Sequence, residues 1–168
     1  MVNGTVIPVG SFGCLTVDYW KRSATNVLWA FLTHAHADHL QGLSDTWTGA
    51  PLYCSSATRE LLLVRWPDFR APLISLELDE TVILRAATPY GHATVQVTPL
   101  NANHCLGAVM FLFEGPFGRV LHCGDFRWEQ EYQKENLHPI LTSAPLDVLY
   151  LDNTYAHPRC ALLDDAFR

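Results

Sequence analysis

The sequence predicts an α/β fold, layered, with more strand than helix. Three observations carry this. Short runs rich in Val, Ile, Leu, Phe and Thr recur along the chain, each bounded by Gly, Pro, Asn or Asp. Helical spacing is infrequent and is clearest between Ser55 or Ser56 and Pro67. Ligand-type side chains follow the strand-like runs, at the strand ends where a cleft opens in an α/β sheet.

The expected strands are Thr5–Val9, Leu15–Val17, Val27–Leu32, Leu73–Leu78, Thr81–Leu84, Thr94–Leu100, Ala108–Phe113, Arg119–His122 and Val148–Leu151. Glu114-Gly115-Pro116-Phe117-Gly118 has the composition of a hairpin turn between two of them. The helix near Ser55 has a serine N-cap, with Leu61, Leu62 and Arg65 at helical spacing, and Pro67 sets its end. Short helices are expected from His39 and over Glu129–Leu137. Val148–Leu151 is strongly apolar and the sequence stops soon after it, so its sheet is expected to lack neighbours there.

A chain of 168 residues suits one domain, here residues 1–168, with a real hydrophobic core. Its composition, 49% apolar and 17% charged, excludes a disordered tail. The apolar runs are too short to cross a bilayer, so no membrane partner is expected. The N-terminus has no basic stretch ahead of a long apolar one, which argues against a secretory signal. The odd cysteine count, 5, without a C-x-x-C pair, argues against a disulfide framework and for a reducing compartment. Cys54, Cys105 and Cys123 read as small buried apolar residues. The net charge of −6 has the wrong sign for a free-standing nucleic-acid binder. Two divalent cations would leave about −2, still without a basic surface.

The chemistry concentrates in His34-Ala35-His36-Ala37-Asp38-His39, directly after an apolar strand. In extended backbone, side chains at i and i+2 point the same way, so His34 and His36 can grip one ion together. Asp38 and His39 come as the chain turns, and aim at a neighbouring point. Imidazole and carboxylate suit Zn²⁺, Fe or Mn²⁺, and the lack of nearby thiolates disfavours a cysteine-type structural zinc site. Asn103-His104-Cys105 and Gly124-Asp125-Phe126 also follow strands. His104 can complete a three-histidine set, and Asp125 can bridge two ions with its two oxygens. His92, His122 and His138 have no motif context and read as ordinary core or surface residues; His157 reads as a loop residue.

These motifs, with Gly124-Asp125-Phe126-Arg127, resemble the successive metal motifs of the metallo-β-lactamase superfamily. Pro51-Leu52-Tyr53-Cys54-Ser55, Val109-Met110-Phe111-Leu112-Phe113 and Tyr150-Leu151-Asp152-Asn153-Thr154 resemble its β-CASP branch of DNA-repair nucleases. The resemblance implies the N-terminal portion of an αββα sandwich, without the β-CASP cap or the remaining strands. It implies one or two Zn²⁺, with Mn²⁺, Fe or Mg²⁺ as alternatives. His34, His36 and His104 would hold the first metal, Asp38 and His39 the second, and Asp125 would lie between. Asp152 would orient a ligating histidine. Asp18 matches a further acidic position near the site; a turn or cap aspartate is its plain alternative. The implied activity is metal-dependent phosphodiester hydrolysis, as a 5′-to-3′ exodeoxyribonuclease of crosslink repair, double-strand break or telomere end processing. The implied partner is DNA with a 5′ phosphate end, single-stranded or duplex, and the implied location is nuclear. The sequence departs from the branch at Leu106, usually proline, and at His122-Cys123, usually Tyr-Thr. The last ligand of the second metal is expected from the missing continuation. Two alternatives stand beside this reading: a truncated product that binds metal weakly and cleaves nothing, and a hydrolase of the same superfamily acting on a small ester or thioester.

Overall fold

The structure, a computed structural model, describes residues 4–21, 24–129, 139–154 and 156. Its strands form two five-stranded sheets. The first runs β1 (Thr5–Pro8), β2 (Cys14–Val17), β3 (Val27–Phe31), β4 (Leu52–Ser55) and β5 (Leu73–Leu76), side by side in that order. β1 is antiparallel to β2 and the rest are parallel. The second contains β6 (Val82–Thr88), β7 (Gly91–Asn101), β8 (Val109–Gly115) and β9 (Gly118–His122) as an antiparallel meander. β10 (Val148–Tyr150) joins its edge parallel to β9. Helix α1 (Ser56–Arg65) follows β4, and the short α2 (Pro139–Ser143) precedes β10.

The sheets pack face to face over Ile7, Leu15, Val17, Phe31, Tyr53, Val95, Phe111 and Phe113, among others. Phe31 sits at the centre, with ring centroids 5.3 Å from Tyr53, 5.2 Å from Phe111 and 4.9 Å from Phe113. Leu32, Leu52, Cys54 and Leu62 cover the outer face of the first sheet with α1 and the Trp20 and Leu40–Leu43 region. Leu100, Leu112, Leu121 and Cys123 do the same for the second sheet, against Ile140 and Leu141 of α2. The layers are therefore αββα, as the resemblance implies.

Most expected strands form, with shifted ends. The Glu114–Gly118 turn closes the β8–β9 hairpin, pairing Gly115 with Gly118. Ser55 caps α1 by accepting the Thr58 N–H. β4 was not expected: its apolar stretch is brief and runs without a break into the helix cap, leaving no turn signal between strand and helix. No helix begins at His39. Residues 37–42 form turns, bonded mainly three residues back, as in His39 N–H to His36 O and Gln41 N–H to Asp38 O. Gly42, at φ +102°, turns the chain away before a helix can propagate. The helix expected over Glu129–Leu137 lies outside the described residues except at Glu129, which is not helical. β10 is the edge strand of its sheet among the described residues, and Val148, Leu149, Tyr150 and Leu151 are all exposed.

Candidate metal centre

Five strand ends open on one edge of the sandwich. β3 leads into Thr33–His39, β2 into Asp18, β7 into Asn103-His104, β9 into Gly124-Asp125 and β10 into Asp152. The two sheets are tied there by Val109 N–H to Thr33 O, and Arg127 N–H to Ala102 O fixes the segment after Asp125 against the β7 end. Asp18 and Asn103 both adopt left-handed backbone, at φ 52° and 51°, which turns each chain sharply at its strand end.

His34, His36, His104 and Asp125 converge. His34 Nε2 lies 2.9 Å from His36 Nδ1, and His104 Nε2 lies 3.3 Å from it. Asp125 Oδ2 is 3.9 Å from His34 Nε2 and 3.6 Å from His104 Nε2. Donors bound tetrahedrally at the usual zinc–nitrogen distance stand about 3.3 Å apart, so the spacing of His36 Nδ1 from His34 Nε2 and His104 Nε2 already approximates part of one coordination shell. Beside it, His39 Nε2 lies 3.1 Å from Asp125 Oδ1 and 3.7 Å from Asp38 Oδ2. His39 is buried, yet this nitrogen makes no hydrogen bond. A buried ring nitrogen left bare beside two carboxylates fits a metal ligand. His34, His39 and Asp125 form a second group able to hold a cation.

Asp18 and Thr33 set the tautomers. Asp18 is buried and accepts the Thr33 N–H at 2.8 Å and the Thr33 hydroxyl at 2.7 Å. It also accepts His39 Nδ1–H at 2.8 Å, which in the neutral ring leaves Nε2 with its lone pair. Because the Thr33 hydroxyl is given to Asp18, Thr33 Oγ1 accepts from His34 Nδ1 at 3.0 Å, and His34 Nε2 is left unprotonated, facing His36 Nδ1. Burial, with the neighbouring His39, pushes the His34 pKa down to about 3, so that ring is neutral at physiological pH. Burial also works against a charge on His39, but its hydrogen bond to Asp18, then the charges of Asp18, Asp125 and Asp38, outweigh it and raise its pKa. Burial opposes ionisation of Asp38; its own backbone hydrogen bond and the histidines outweigh this and hold it below the usual carboxylate range.

Asp18, Asp38, His39, Asp125 and Asp152 line one cleft of about 400 Å³. Asp152 Oδ1 accepts the Thr154 N–H at 2.9 Å. The carboxylate bonded to a ligand-type histidine is Asp18, which occupies the turn position of the plain alternative and the site at once. Sequence reasoning missed Thr33, which carries no motif signal beyond its place between strand and histidine. It also misread Cys105. Cys54 and Cys123 are buried, with thiols pushed up to about 12 by burial. Cys105 is only half-buried, and its sulfur stands in one group with His34, His36 and His104. The turn at Gly107, φ +79°, is held to the start of α1 by the Ser55 and Thr58 hydroxyls donating to its carbonyl, a contact that a strand-by-strand reading could not foresee. Arg119 is buried on Glu114 and on the Ile140 and Ala144 carbonyls, Arg59 pairs with Glu60, and Arg65 lies over Trp66.

Comparisons with known proteins give the family and the fold. The family described as Beta-lactamase superfamily domain matches residues 19–162. The chain is 44% identical over 165 residues to 5′ exonuclease Apollo of Gallus gallus, covering 96% of this chain and 32% of that protein. It is 37% identical over 135 residues to DNA cross-link repair protein pso2/snm1 of Schizosaccharomyces pombe, covering 77% and 22%. The chain thus spans about a third or less of the curated relatives it matches. Among solved structures it resembles the metallo-beta-lactamase fold protein YhfI of Bacillus subtilis, with a TM-score of 0.56, 16% identity, and coverage of 83% of this chain and 59% of that one.

Proposed function

The chain belongs to the metallo-β-lactamase superfamily, and from that premise we propose that it is the metal-holding part of a DNA-repair nuclease, a 5′-to-3′ exodeoxyribonuclease acting on DNA with a 5′ phosphate end. The carrying observation is the bare, buried Nε2 of His39 beside the His34–His36–His104–Asp125 cluster. That arrangement supports a place for two adjacent cations, which would together stabilise the attacking and leaving oxygens of an in-line phosphodiester hydrolysis. The names of the Apollo and pso2/snm1 relatives support an exonuclease and DNA crosslink repair as the process; a repair role on DNA in turn favours the nucleus as location. Zn²⁺ is the favoured ion for a set dominated by imidazole.

In this reading His34, His36 and His104 hold one ion, Asp38 and His39 the other, and Asp125 faces both. When bound, such ions supply Lewis-acid chemistry, acidifying water and neutralising phosphate charge. The chain's residues do the rest. Asp18 keeps the His39 proton on Nδ1, Thr33 keeps that of His34 on Nδ1, and both Nε2 atoms keep a lone pair in the neutral rings. Water adds to phosphorus, the bond to the 3′ oxygen breaks, and the shortened strand keeps a 5′ phosphate. Asp152 lines the cleft and serves to position its contents.

The test is digestion of end-labelled, 5′-phosphorylated single-stranded DNA by the metal-loaded chain, beside Asp125→Asn. Slow, metal-dependent loss of nucleotides from the 5′ end, absent in the variant, is expected. Metal-loaded chain that hydrolyses a thioester or small ester and leaves DNA intact would overturn the reading.

A further inference from the structure

We propose that His122 is a positioning residue for Asp125, acting as the neutral Nε2–H tautomer. The sequence marks this position only as a departure from the β-CASP pattern. In the structure it is the last residue of β9, three positions before Asp125, and it is buried. The Gly124 N–H points at His122 Nδ1, 3.2 Å away. A backbone N–H can only donate, so Nδ1 carries no proton. The ring proton then sits on Nε2 and is donated to Thr5 Oγ1 of β1, 3.0 Å away. The ring is thus bonded at both nitrogens, one to each sheet. It is also stacked on Tyr150 of β10, with centroids 5.4 Å apart and planes at 29°. Burial lowers its pKa, in keeping with a neutral ring.

The turn that His122 holds has little freedom elsewhere. Gly124 has φ +56°, and a Cβ there would lie 2.8 Å from Thr33 Cγ2. Gly124 is therefore pinned between the His122 ring and Thr33, the residue that sets the His34 tautomer through its bond to Asp18. The next residue, Asp125, must place one oxygen toward His34 and His104 and the other toward His39. A turn free to rock would spread both distances at once. His122 is thereby coupled to both ligand groups without touching either.

The inference rests on the metal reading above, and two measurements separate them. Amide exchange at Gly124 reports the hydrogen bond without any metal. Titration of Zn²⁺ against a chromophoric chelator reports its consequence. The variants are His122→Asn, whose Oδ1 replaces the Nδ1 acceptor, and His122→Gln, whose amide reaches Thr5 and leaves Gly124 unbonded. Asn should keep Gly124 protected and bind Zn²⁺ like wild type. Gln should expose Gly124 and lose about 10-fold or more in Zn²⁺ affinity, as outer partners of a metal site do. Equal behaviour of the two variants, in either measurement, overturns the proposal. So does an Nδ1–H signal for His122 in the NMR spectrum of the wild type, a result that needs no variant to fold. Wild type that takes up no Zn²⁺ sinks the metal reading, and exchange at Gly124 then decides for His122 alone.

Discussion

Replacing Asp18 by Asn keeps the side-chain shape and removes its charge. Asp18 accepts three hydrogen bonds, from Thr33 N–H, the Thr33 hydroxyl and His39 Nδ1–H. The amide can keep the first at Oδ1. Its NH₂ then faces Thr33 Oγ1 and His39 Nδ1, and both must become acceptors. Thr33 can rotate its hydroxyl. His39 can accept only by moving its proton to Nε2, where an N–H would point at the carboxylates and block the ligand position. A hydrogen bond to a charged group contributes about 1.5–3 kcal/mol, so folding stability should fall by roughly one such bond. Loss of a carboxylate that orients a ligating histidine lowers metal affinity about 10–100-fold, or about 1.4–2.8 kcal/mol of binding. The assay is Zn²⁺ or Co²⁺ titration of wild type and Asp18→Asn against a chromophoric chelator, with circular dichroism to confirm the fold. A folded variant with wild-type affinity and stoichiometry would refute the tautomer argument.

Gly124→Ala forces a methyl group against Thr33 at a left-handed residue, costing about 1–2 kcal/mol from backbone conformation alone; an unchanged urea midpoint would contradict this. In chelator, His34 should make the fold acid-sensitive. Its folded pKa, about 3, lies below the unfolded value, so its contribution is present above about pH 6.5 and is lost as pH falls toward 3. His39, with a raised pKa, acts in the opposite sense: its contribution is present below about pH 6.5 and is lost as pH rises through the folded value. Urea midpoints across pH 3–8 should therefore lose part of their acid slope in His34→Ala, the carboxylates such as Asp38 supplying the rest, and a slope identical to wild type would count against a neutral buried His34.

The strands of the meander could be read from sequence because each is a bounded apolar run that fills one side of the inter-sheet core, as Val95, Phe111 and Phe113 do. β4 escaped because Ser55 ends the strand and caps the helix at once, and a pattern reading needs a gap between elements. His34, His36, Asp38 and His39 were legible since one local segment brings them together. The tautomer control was not: Asp18 and Thr33 meet through the parallel pairing of β2 with β3, and nothing in the local sequence of either announces it. His122 looked ordinary for the same reason, its partners being Thr5 far upstream and Tyr150 downstream. Cys105 was misread because half-burial at a loop depends on the return of the chain at Gly107.

The convergence of strand ends has a mechanical side. The histidines of the first group come from both sheets, His34 and His36 after β3 and His104 after β7, with His36 and His104 68 positions apart in the chain. An ion shared by them is a removable cross-link at the open end of the sandwich. Like a disulfide, it would shorten the loops available to the unfolded chain; unlike one, it comes away with a chelator. The edge proposed to do the chemistry is then also a clasp, and ion occupancy would set how readily the two sheets part.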